Sequence, residues 1–222
     1  MTFLPATRAH TRAEQIADAA IHLVGVVSAL FAVPVLVTLA AAWRGDGPLV
    51  TAVAIYGVSL IAMLGFSASY NLAHFRLTPG RALDWLRRLD HAAIYVKIAG
   101  TYTPYGVIAG GPAGKWLLIG VWSGAALGFI GKLVAPHRWQ RVSLAFYLAL
   151  GWAFVLALEP ISRSITRATF VLVAIGGTLY TVGVIFHLWQ RLPFQNAIWH
   201  LFVLVATFVF YAALLVEIAI GG

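Results

Sequence analysis

Seven apolar runs, at residues 19–43, 49–75, 90–110, 115–135, 141–159, 168–189 and 197–220, are separated by short connectors, and this alternation constrains the chain most. Each run is near the roughly 20 residues that an α-helix needs to cross a ~30 Å hydrocarbon core. As buried helices of a water-soluble fold they would need a polar outer layer, which the connectors are too short to supply. With 61% hydrophobic and 10% charged residues, the chain cannot cover that apolar surface; soluble domains carry about a quarter charged residues. Lipid-exposed sheets must close into barrels, and the unalternating runs do not fit barrel strands. The sequence therefore predicts an all-α integral membrane protein, a seven-transmembrane-helix bundle occupying 19–220 as one domain behind an N-terminal tail, 1–18. The tail carries Arg8, Arg12, Glu14 and Asp18 without an apolar core. The run after it is too long for a signal-peptide core, so the first helix is expected to be retained.

Lys and Arg set the orientation. The tail and the second, fourth and sixth connectors hold Arg8, Arg12, Arg76, Arg81, Arg87, Arg88, Lys132, Arg138, Arg141 and Arg191. The other face holds Arg44, Lys115, Arg163 and Arg167. The positive-inside rule then predicts a cytoplasmic N-terminus and a C-terminus on the opposite side. The net charge of +8 has the same origin, so nucleic acid is not an expected partner and membrane lipids are. Trp43, Trp85, Trp116, Trp139, Trp189 and Trp199 fall near the predicted span ends, where an indole prefers the headgroup level. Gly120, Gly124 and Gly128 read as a packing stripe in the fourth span. Pro34, Pro104 and Pro160 are expected to bend or end helices.

The polar residues of the spans gather at one end. Glu14, Asp18 and His22 open the first span; Ser67, Asn71 and His74 close the second; Asp90 and His91 open the third. His187 closes the sixth, and Asn196 and His200 open the seventh. Polar groups are costly in hydrocarbon and normally face a bundle interior, so the sequence predicts a shared polar cavity open to the cytoplasm. Bland roles stand beside that reading. Asp90 can cap the third helix, and Asn71 and Asn196 can be interhelical glue. His91 can point to headgroups, and Lys97 can snorkel or pair with Asp90. Residues 14–18 are expected in water at the interface, and Glu159 and Glu217 within reach of water on the far side. Cysteine is absent, so a metal would need histidine and carboxylate.

The string from Arg88 through Asp90, His91, Lys97 and Gly100 to Pro104 resembles the third-helix signature of the haemolysin III family, the bacterial branch related to the progestin and adiponectin receptor group. The likeness continues in Glu14…Asp18…His22…Gly25, in Ser67-Ala-Ser-Tyr-Asn71, and in Asn196-Ala-Ile-Trp-His200, and so covers nearly the whole chain in order. The resemblance implies a zinc ion held by one second-helix and two seventh-helix histidines, supported by a Ser and an Asp, here Ser67 and Asp90 as candidate catalytic residues. It also implies ceramidase-like amide hydrolysis in eukaryotic relatives and membrane homeostasis in bacteria. This chain departs from that pattern: Asn71 and Asn196 stand at two ligand positions, leaving His200 as the one family ligand, Lys97 brings a positive charge near the former site, and Asp18 stands where the family usually has Asn.

A neutral amide is a poor zinc ligand, and catalytic zinc generally keeps three protein ligands. The expectation is thus a degenerate metal site without a cofactor, in which Asn71, Asn196, Asp90 and His200 form a hydrogen-bonded network. The alternative is zinc at a rearranged set of His74, His187, His200 and Asp90. The function expected is a membrane or lipid homeostasis role in the bacterial inner membrane. A zinc-dependent lipid amide hydrolase and a proton or ion pathway through Asp90, Lys97, His200 and His22 are the alternatives.

Overall fold

Thr11 starts the first helix: its hydroxyl accepts from the Glu14 amide, and the Glu14 carboxylate accepts from the Thr11 amide at 2.7 Å, a reciprocal capping box. The computed structural model describes residues 10–74, 78 and 80–221, apart from the side chains at 137, 139–141 and 157. Helix α1 covers Arg12–Arg44 and ends on Gly45, whose φ of 60° suits a residue without Cβ. Then follow α2 (Gly47–His74), α3 (Arg81–Ala109), α4 (Gly111–Val134), α5 (Pro136–Gly151), α6 (Leu158–Ser164), α7 (Arg167–Leu188) and α8 (Gln195–Ile220). A 3-10 turn, Ala153–Ala157, joins α5 to α6, and no strand occurs among the described residues. Arg8 and Arg76 lie outside the described residues, as do the side chains of Trp139 and Arg141.

Five helices, α1, α2, α4, α7 and α8, are long and apolar enough to cross a membrane. Leu23, Phe31, Ile130 and Leu156 project outward from the bundle, as side chains facing lipid rather than water do. The third and fifth apolar runs behave differently. Helix α3 carries Arg81, Asp84, Arg87, Arg88, Asp90 and Lys97, yet it packs against α2, α4, α5 and α6 and buries Ala92, Ala93, Tyr95 and Ala99. A helix enclosed by its neighbours need not present an apolar surface to lipid.

The fifth run, read as one span over 141–159, is interrupted: α5 stops at Gly151, and the chain continues through the 3-10 turn into α6. The Tyr102 hydroxyl donates to the Gly151 carbonyl at 2.6 Å and accepts from the Phe154 amide at 2.9 Å. A break away from water requires such partners for the freed backbone groups. Tyr102→Phe is expected to lower stability by about 1–3 kcal/mol by leaving both groups unpaired. Thermal unfolding in detergent would measure it, and an unchanged midpoint would show that the hydroxyl does not support the break.

The chain's last helix returns to its first. α1 packs on α2 and α8, α2 on α3, α3 on α4, and α7 on α8. One apolar cluster joins Val33, Leu36, Val53, Tyr56 and Leu214, and a second joins Tyr95, Tyr102, Val121, Ile161 and Val173. The glycine stripe of α4 is only partly a packing face. Gly128 lies under the Tyr95 ring and Gly124 near Leu150, but Gly120 faces open space. Residues four apart drift by roughly 40° around a helix with 3.6 residues per turn, so positions 120 and 128 cannot share one narrow contact. The three prolines lie within helices: Pro34 in α1, Pro104 in α3 and Pro160 in the first turn of α6, so none ends a helix. Trp43, Trp85, Trp116 and Trp189 are exposed at or near helix ends, and Trp199 is half-buried in the first turns of α8.

Candidate functional site

The Glu14 carboxylate that caps α1 also accepts from the Phe194 amide at 2.7 Å. Phe194 precedes α8 with a φ of 59°, the positive-φ non-glycine among the described residues, and this contact pins its strained turn against α1. One helical turn further along α1, Asp18 Oδ1 lies 2.5 Å from His200 Nδ1 on α8. Another turn on, His22 Nε2 stands 3.6 Å from Asp18 Oδ2, and the His22 and His200 ring centroids are 4.3 Å apart. The spacing i, i+4, i+8 puts Glu14, Asp18 and His22 on the face of α1 that α8 covers. Glu14 and Asp18 are therefore not in water, as the sequence led one to expect: they are 4% and 1% exposed.

Other polar residues share this end of the bundle with different partners. Ser67, Asn71 and Asp90 are buried where α2 ends and α3 begins, with Ser67 near enough to Asp90 to influence its carboxyl. The network expected among Asn71, Asn196, Asp90 and His200 is arranged differently. The Asn71 amide donates to the Ser67 carbonyl of its own helix at 2.9 Å, Asn196 faces His10 at 3.5 Å, and His200 turns to Asp18. Asp90 remains close enough to His200 to interact electrostatically.

The alternative ligand set of His74, His187, His200 and Asp90 does not converge. His74 is exposed with its ring beside Tyr70, and His187 is exposed with its ring 4.9 Å from Trp199. Nor does a pair form between Lys97 and Asp90. Lys97 is buried, donates to Thr101 Oγ1 at 2.6 Å, and lies over the Tyr56 and Phe210 rings. His91 is half-buried, and its carbonyl accepts from the Tyr147 hydroxyl. On the far side, Glu159 is exposed and paired with Arg163, whereas Glu217 is 3% exposed and accepts from the Thr166 amide at the start of α7. Helix packing, not position along the chain, separates these two glutamates.

Of two hollows among the described residues, neither is lined by Asp18, His22, Asn71, Asn196 or His200. The more pronounced hollow, about 330 Å³, lies at the opposite end beside Trp43, Arg44 and Ile218. One of about 20 Å³ lies beside Arg87, Arg88, His91 and Lys132. Lys132, counted from sequence as a connector charge, is 4% exposed in the last turn of α4 and interacts electrostatically with Asp90.

Among the described residues, Asp18, His22 and His200 are the group whose ligand atoms, one from each, lie within 4.8 Å of one another and could hold a metal ion. Sequence reasoning placed all three in the polar region at this end but expected Asp18 in water and did not name it as a ligand. The four-residue spacing from Asp18 to His22 was the available signal, since it sets a carboxylate and an imidazole on one helix face.

An all-helical bundle with apolar outer faces and a largely buried histidine–carboxylate cluster at one end defines a helical membrane protein with a polar centre. The chain belongs to the haemolysin-III-related family, whose model matches residues 11–211. It is 39% identical over 194 residues to Hemolysin-3 of Bacillus cereus, covering 86% of this chain and 85% of that protein. The Hemolysin-3 homolog of Bacillus subtilis (strain 168) is also 39% identical, over 193 residues, covering 86% of this chain and 88% of that protein. The human monocyte to macrophage differentiation factor is 29% identical over 163 residues, 72% of this chain and 67% of that protein, in keeping with the relation to the progestin and adiponectin receptor group.

Proposed function

We propose that this chain spans the bacterial inner membrane seven times with a cytoplasmic N-terminus, and that its polar centre acts in membrane-lipid homeostasis. The observation that carries the reading is the Asp18–His200 contact. It joins the first and last helices, with the carboxylate buried and the imidazole partly buried, at the end where Ser67 and Asp90 also lie. Such groups are costly among lipid tails and are retained there mainly for function. The basic residues Arg12, Arg81, Arg87, Arg88 and Arg191 belong to the same helix ends, which supports the cytoplasmic side for this centre.

Within that reading, lipid amide hydrolysis is the chemistry that the Ser67–Asp90 pair beside the histidines favours. A zinc-class ion, when bound at such a centre, supplies an activated water and polarises a carbonyl. Asp90 and Ser67 then hold and orient the polar end of the lipid amide. A proton pathway draws less support, because the contacts of Lys97 run to Thr101, Tyr56 and Phe210 rather than to Asp90.

The test is the lipid composition of a strain lacking this chain, with the wild type or Asp90→Asn returned. Wild type is expected to restore the composition and Asp90→Asn to leave it altered. A rise of one amide-linked lipid in the deficient strain would select the hydrolase. An unaltered lipid composition, or full restoration by Asp90→Asn, would overturn the lipid reading.

A further inference from the structure

We infer that Asp18, His22 and His200 form a site for one divalent first-row transition-metal ion, with zinc as the reference ion. Asp18 Oδ2 and His22 Nε2 carry the argument. Both atoms are shielded from solvent and without a hydrogen-bond partner, and they belong to side chains that are 2% and 4% exposed. Buried polar atoms without a hydrogen-bond partner are uncommon in native proteins, and a bound ion is among the standard explanations. Their separation of 3.6 Å exceeds a hydrogen bond. It matches two neighbouring ligands of one ion, because atoms 2.0–2.1 Å from a tetrahedral zinc stand roughly 3.4 Å apart.

His200 supplies the third ligand, and one ligand atom from each of the three residues lies within 4.8 Å of the other two. Two imidazoles and one carboxylate suit zinc, iron or another first-row ion rather than calcium or magnesium, which prefer oxygen. Three protein ligands leave a coordination position for water or a substrate oxygen. The set shares only His200 with the ligand positions implied by the resemblance, and it needs neither Asn71 nor Asn196. Instead α1 provides a carboxylate and a histidine one turn apart, and α8 closes the site. The site stands independently of the lipid reading above.

The test is metal content. The full chain is purified in detergent without a polyhistidine tag, equilibrated with zinc, dialysed and measured by plasma mass spectrometry alongside Asp18→Asn, His22→Gln, His200→Gln and His187→Gln. About one ion per chain is expected in the wild type and in His187→Gln, and about a tenfold lower content in each of the other three. Wild-type content below about a tenth of an ion per chain would overturn the site, as would retention of metal by His22→Gln or equal loss in His187→Gln. If the ligand variants do not fold, cobalt titration of the wild type decides: visible d–d bands saturating at about one cobalt per chain support the site, and their absence overturns it. A metal-free result leaves the lipid test standing, since that test reads Asp90 and lipid composition. A failed lipid test likewise leaves the metal count unaffected.

Discussion

Asp18→Ala is expected to lower the stability of the detergent-solubilised protein by about 3 kcal/mol, the usual scale for removing one partner of a buried ionic contact. The carboxylate lies between two imidazoles of two helices, with His200 at 2.5 Å and His22 at 3.6 Å, and is 1% exposed. Its removal leaves both rings facing a void that closes only if α1 and α8 shift. Asp18→Asn keeps the shape and should cost less. His187→Ala, at an exposed position on α7, should change stability by no more than roughly 0.5 kcal/mol. Unfolding midpoints of the three variants would check this ordering. Equal midpoints for Asp18→Ala and His187→Ala would mean that the α1–α8 contact is not a stabilising one.

The second large effect is expected at Gly128. A Cβ there would run into the ring of Tyr95, which is itself 0% exposed and held against Phe146 and Tyr147. With no room for the ring to retreat, Gly128→Ala should cost about 2–3 kcal/mol through overpacking. Gly120→Ala meets nothing within 4 Å and replaces a poor helix former, so it should stabilise by up to about 1 kcal/mol. The opposite signs are the informative part. If both variants moved the midpoint in the same direction, the close approach of α3 and α4 at Tyr95 would be wrong.

These two substitutions also mark how far the sequence could be read. A run of glycines every four residues announces close helix packing, but not which of them meets a neighbour, because the rotation of the helix against its surroundings is a tertiary quantity. In the same way, the local pattern places Asp18 and His22 on one face of α1. It does not say that this face meets α8, and without that contact a carboxylate near the chain start reads as solvated. His200 was legible as a polar residue at a helix start, whereas its choice of Asp18 over Asn71 or Asn196 was not. The break after Gly151 escaped for a related reason: the fifth run is apolar throughout, and the hydroxyl that satisfies its freed backbone groups comes from Tyr102, 49 residues away in sequence.

By itself, the sequence determined the helical class, because unbroken apolar runs must satisfy their backbone hydrogen bonds internally in lipid. It also determined the gathering of polar residues at one end and the family to which the chain belongs. Only the tertiary structure decided which of those residues meet. Partners in space are set by how whole helices rotate and pack, and contacts such as Asp18 with His200, 182 residues apart, leave no trace in local spacing.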